Sequence, residues 1–158
     1  MELQASYDAH YYFGEVRFTN TNTNLGTQLN GFGAQSFLPD TTITLTGGLR
    51  FLNERLTVGA RGYIVSKSYN GADQLVPIFG PGPNSNGNPN DPYNKPYELL
   101  DLFTSYKWTD SIEVGATVTN VFDRAYTPAL STPVTGSPPF TEETGRGRTF
   151  LLTTRAQF

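Results

Sequence analysis

Side chains able to do acid–base or metal chemistry are sparse in this sequence. One histidine, His10, and no cysteine accompany 14 acidic residues. Two carboxylates flanking a scissile bond are what glycoside hydrolysis needs, and Glu15, Asp101 and Glu113 are acids that fall within regular segments. Nothing completes such a site. No serine stands in a nucleophile elbow, and a lone histidine without thiolates makes a poor tetrahedral zinc site. Residues 84–91 are rich in the oxygen ligands that calcium takes but lack EF-hand spacing, so a solvated loop is the simpler reading. The three acids are better explained as wall residues facing water, with Arg17, Arg50, Arg61 and Arg155 as cross-strand partners. No catalytic set, no metal site and no enzyme activity are expected.

Those residues are positioned by strands. The final stretch, GRGRTFLLTTRAQF at 145–158, shows it best. Phe150, Leu152, Thr154, Ala156 and Phe158 alternate with Thr149, Leu151, Thr153, Arg155 and Gln157. Period 2 with one mostly apolar and one mostly polar face describes a strand between two environments. The alternation recurs at 2–7, 11–23, 41–52, 55–68, 97–108 and 112–122. Glu15, Arg17, Arg50, Arg61, Asp101 and Glu113 all fall on polar faces. Glu98 shares a face with Leu100 at a strand's edge, and Phe103 intrudes on a polar face.

Connections alternate short (8–10, 53–54, 109–111) and long (24–40, 69–96, 123–146). Short turns at one end and long loops at the other describe an outer-membrane barrel. Pro, Gly and Asn in the second long loop cannot hold a regular ladder. Segments of about 10–13 residues exceed the globular mode of about five or six and match the roughly 9–11 that cross a bilayer at a tilt. Tyr11, Tyr12, Phe51, Tyr97, Tyr106, Trp108, Phe122 and Phe158 gather near segment ends, as interfacial girdles do. A cation on a lipid face near the midplane costs about 2–4 kcal/mol, and the charges avoid the apolar face. A half-buried soluble sheet would obey the same rule. With 16 Gly, 11 Pro, nine Tyr and 11 Phe, the composition suits turns and strands. A net charge of −3 gives no strong pull on nucleic acid. MELQASYDAH shows no basic stretch leading into an apolar core, so no signal peptide is expected.

Asn120-Val121-Phe122-Asp123-Arg124-Ala125-Tyr126 resembles the N-[LV]-F-D-x-x-Y stretch near the C-terminus of TonB-dependent outer-membrane receptors. Gly145-Arg146-Gly147-Arg148-Thr149-Phe150 resembles the family's G-x-x-R-x-[FL] approach to the final strand, which closes on an aromatic, as Phe158 does here. Tyr97-Glu98-Leu99-Leu100-Asp101-Leu102 resembles its antepenultimate strand.

The resemblance implies an all-β, antiparallel, up-and-down transmembrane barrel of about 22 strands around a plug. Residues 1–158 would be its last seven strands, without plug, TonB box or signal peptide. Glu15, Arg17, Arg50, Arg61, Asp101 and Glu113 would line a water-filled lumen. Asn120, Phe122, Asp123, Arg124 and Tyr126 would be the family motif, with Asp123 and Arg124 salt-bridging or capping a turn at the membrane exit. Phe158 would be the terminal aromatic read during barrel assembly. Ligand would be met by the loops at 24–40, 69–96 and 123–146. Tyr126-Thr127-Pro128-Ala129-Leu130-Ser131 is most like the haem and haemoglobin (or haemophore) branch; a ferric siderophore is the alternative cargo. The segment itself would bind no cofactor. Expected partners are outer-membrane lipid, the rest of the barrel, the plug, the TonB complex and haemoglobin or a haemophore. From a different class, a soluble β-sandwich would use its aromatics as a sugar platform. A small self-standing channel fits poorly with an odd strand count.

Overall fold

The computed structural model describes residues 1–21, 38–69, 93–128 and 144–157. Its strands are β1 (Glu2–Asp8), β2 (Tyr12–Asn20), β3 (Thr41–Phe51), β4 (Leu56–Val65), β5 (Ser68–Tyr69), β6 (Tyr93–Asn94), β7 (Tyr97–Lys107), β8 (Ile112–Thr119) and β9 (Thr149–Ala156). Seven form one antiparallel sheet in the order β1-β2-β3-β4-β7-β8-β9, while β5 and β6 pair apart from it. Each long strand therefore lies beside its neighbour in sequence, as an up-and-down meander requires. A sandwich needs two sheets packed about 10 Å apart. All seven long strands lie in one layer, as the up-and-down barrel expectation has it and the β-sandwich alternative does not.

The register shows what each face carries. Residues opposite one another in an antiparallel pair share a face. One row runs Ser6, Glu15, Thr46, Arg61, Asp101. The next row, on the opposite face, runs Ala5, Val16, Leu45, Gly62, Leu100. The apolar face is bare: Val16 is 46 % exposed, Leu45 44 % and Phe150 73 %. Among the described residues only Val65 and Tyr69 are buried hydrophobics. Burying a side chain of this kind contributes about 1.5–3 kcal/mol. A sheet forgoing that along its whole length is built for an apolar solvent. β3 and β7, 11 residues each, extend about 36 Å and at a barrel's tilt cross an apolar band of about 25 Å.

The turns at the short-connection end are braced. Leu52, Asn53 and Glu54 all have positive φ (55°, 55° and 64°), so the turn after β3 is wider than an Asn53-Glu54 pair. A left-handed residue with a Cβ costs about 1–2 kcal/mol, which contacts to the neighbouring turn help offset. His10 Nδ1 lies 2.8 Å from Glu54 Oε1. Arg50 pairs with Asp8 and donates to the Ala9 carbonyl at 2.6 Å.

Three strands stop earlier than alternation suggests, β8 at Thr119 among them. β2 ends at Asn20 and β4 at Val65. After Val65, Ser66 donates its N–H to the Thr41 carbonyl, and its Oγ accepts from the Thr41 N–H, both at 2.9 Å. The chain then enters β5. The expectation of a ladder-free loop from Tyr69 is thus corrected at its margins, where Ser68–Tyr69 pairs with Tyr93–Asn94.

Phe103 has a reason to stand on the polar face. One row there runs Phe13, Gly48, Gly59, Phe103. A Cβ on Gly48 would lie 2.6 Å from the Phe13 ring, and one on Gly59 would collide with Phe103. The two rings, 6.4 Å apart, cover the glycine backbone between them. The Arg50 guanidinium sits over Phe13, 5.0 Å from its centroid.

Candidate functional site

Two neighbouring regions hold the polar chemistry of the sheet. The first is the charged band across the polar face. Glu15 Oε1 accepts from Arg17 at 3.0 Å and from Gln4 at 3.1 Å. Arg61 and Asp101 stand opposite each other in register. The Arg61 guanidinium lies 3.4 Å from both Thr46 Oγ1 and the Tyr63 hydroxyl. Glu113 stands between Lys107 and Arg155. Arg61, Asp101, Phe103, Glu113, Thr117 and Arg155 help line a hollow of about 530 Å³. Mixed charge and hydroxyls suit polar contacts. Among the described residues no cluster of His, Cys, Asp or Glu could hold a metal ion.

The second region is the base of the last long loop, at the other end from His10. Asn120 is 4 % exposed and has φ 49°. Its Nδ2 donates to the carbonyls of Arg124 (2.8 Å) and Arg146 (3.1 Å), and its Oδ1 accepts from the Arg124 N–H (2.9 Å). One side chain thus holds the outgoing and returning limbs of the loop. Its own N–H donates to Asp101 Oδ1 on β7 at 2.9 Å. Asp123, also at positive φ (52°), accepts from the Arg148 N–H at 2.7 Å. Gly145 N–H donates to the Tyr126 carbonyl at 2.7 Å, and the Tyr126 ring lies 4.6 Å from that of Tyr97.

Asp123 and Arg124 do not pair with each other. Asp123 takes the Arg148 backbone, and Arg124 reaches Glu98 at 3.5 Å. That contact gives Glu98, the one acid on the apolar face among the described residues, a counter-charge at the strand's end. Asn120 is the residue whose part sequence reasoning missed. The signal was present: asparagine offers two donors and an acceptor on a short stem and tolerates positive φ. Phe122 is 67 % exposed at the same end. Phe158, and residues 24–37, 70–92 and 129–143 of the expected ligand loops, lie outside the described residues.

No family model matches the sequence, and no curated protein does. Solved structures do. The ferric yersiniabactin uptake receptor FyuA from Yersinia pestis matches with a TM-score of 0.69 and 15 % identity, over 99 % of this chain and 23 % of that one. The FrpB iron transporter from Neisseria meningitidis gives 0.68 and 24 %, over 99 % and 23 %. This chain has the fold of a TonB-dependent receptor wall. The copper transporter OprC gives 0.66 and 17 %, again over 99 % and 23 %. The chain spans about a quarter of the length of these structures, which are outer-membrane transport receptors and not enzymes.

Proposed function

We propose that the chain is part of the barrel wall of a TonB-dependent receptor in a Gram-negative outer membrane, which imports an iron compound. The observation that carries this is the single-layer sheet: an uncovered apolar face opposite a charged one, in the same fold as receptors of that kind. Val16, Leu45, Leu102 and Phe150 then meet lipid. Glu15, Arg17, Arg50, Arg61, Asp101 and Glu113 line the lumen and contact plug or cargo. β1 and β9 each present an edge whose backbone groups lipid cannot satisfy. Further strands complete the wall, and the plug and TonB contacts belong to those other parts of the receptor.

For cargo, a ferric siderophore is supported by likeness to a ferric yersiniabactin receptor and to an iron transporter. The haem or haemoglobin reading rests on the stretch from Tyr126 to Ser131. His10 lends that reading no support, because it lies in the short turn beside Glu54. The test is growth and iron uptake by cells lacking the gene, given ferric siderophores, haem or haemoglobin in turn as sole iron source. The proposal expects loss of TonB-dependent uptake on one of these. Unchanged uptake on all of them, with the protein assembled in the outer membrane of the parent strain, would sink it.

A further inference from the structure

The sequence singles out Asp101 as one more charge on the polar face, yet its carboxylate reaches out of the sheet. Asp101 Oδ1 accepts the N–H of Asn120, and Asn120 holds both limbs of the last loop through Arg124 and Arg146. The residues flanking this bond lack slack. Asn120 is buried with positive φ, so its peptide plane is set by what its N–H and side chain bind. A second bond ties the same strand pair, from the Val121 N–H to the Leu100 carbonyl at 2.8 Å. Arg61 faces Asp101 in register while bonding Thr46 and Tyr63, and Asp101 Oδ1 is held by the loop base.

We infer that Asp101 is a positioning residue: acting through Asn120, it orients the base of the last long loop from the polar face of the wall. This deepens the receptor reading above, because it joins the charged band to a loop expected to meet cargo. Changes at Asp101 should then be felt at Arg124 and Arg146, which it does not touch.

Trypsin reads this directly, because Arg124, Arg146 and Arg148 each precede a residue other than proline. Lys67, at the margin of a different long loop, is an internal control. The substrate is the purified full-length protein containing this chain. Cleavage of a transiently opened site follows the population of the open form. Asp101→Ala is expected to speed cleavage at Arg124 and Arg146 about tenfold, with Lys67 unchanged. Asp101→Asn keeps an acceptor oxygen and is expected to restore the parent rate. Equal rates in parent and Asp101→Ala would overturn the inference, as would equal acceleration at Lys67, which would mean a loosened wall. So would failure of asparagine to rescue. The barrel reading fails separately, if the folded protein does not migrate faster in unheated than in boiled gel samples.

Discussion

Asn120→Ala removes two donors and an acceptor from a buried position and leaves three backbone groups of the loop base short of partners. Each such loss costs about 1–3 kcal/mol, and partial rehydration of the base should hold the net to about 2–4 kcal/mol. A lowered midpoint for the heat-induced gel shift of the full-length protein would register it. Gly59→Ala tests the aromatic cover on the polar face. Its new methyl meets the Phe103 ring, and overpacking of that kind costs about 1–3 kcal/mol. Pairing it with Phe103→Leu should recover only part of the loss, because the methyl also meets the Gly47 carbonyl oxygen at 2.8 Å, and a double-mutant cycle on the same midpoint would show the coupling. Neither feature could be read from alternation. Phe103 looked like a breach of pattern because its partners, Gly48 and Gly59, lie on other strands. Asn120 looked like one letter of a motif because the limb it holds returns 26 residues later.

Among elements, the seven long strands were legible because period 2 is a direct image of the pleat. All six charges placed on polar faces share one face of the sheet in register. Strand ends were not legible where tertiary contacts set them, as Ser66 on Thr41 does for β4. The pairing of β5 with β6 was invisible, since two residues cannot show a period. Ala116 and Thr117 give a sharp test of the faces: they are adjacent in β8 at one depth and point opposite ways. Ala116→Arg should cost about 2–4 kcal/mol and deplete assembled protein from the outer membrane, while Thr117→Arg should assemble normally. Immunoblots of unheated membrane fractions would separate the two. Equal tolerance would mean the faces are misassigned.

For the molecule as a whole, fold class came through from the sequence because chain direction, loop lengths and face chemistry all repeat. Cargo did not. It depends on loops whose composition carries no period. If the chain is one stretch of a closed wall, breaking the seam should matter as much as breaking a strand. Proline at Thr154, whose N–H faces away from β8, would remove a donor from the open edge of β9. It should reduce heat-resistant folded protein several-fold on unheated gels, whereas proline within the 84–91 stretch should leave it unchanged.

The missing second layer also bears on how such a chain travels. If lipid covers the apolar face as proposed, its leucines have no native partner in water, and folding is finished only on insertion. On that reading, the last step of folding and delivery to the membrane are one event.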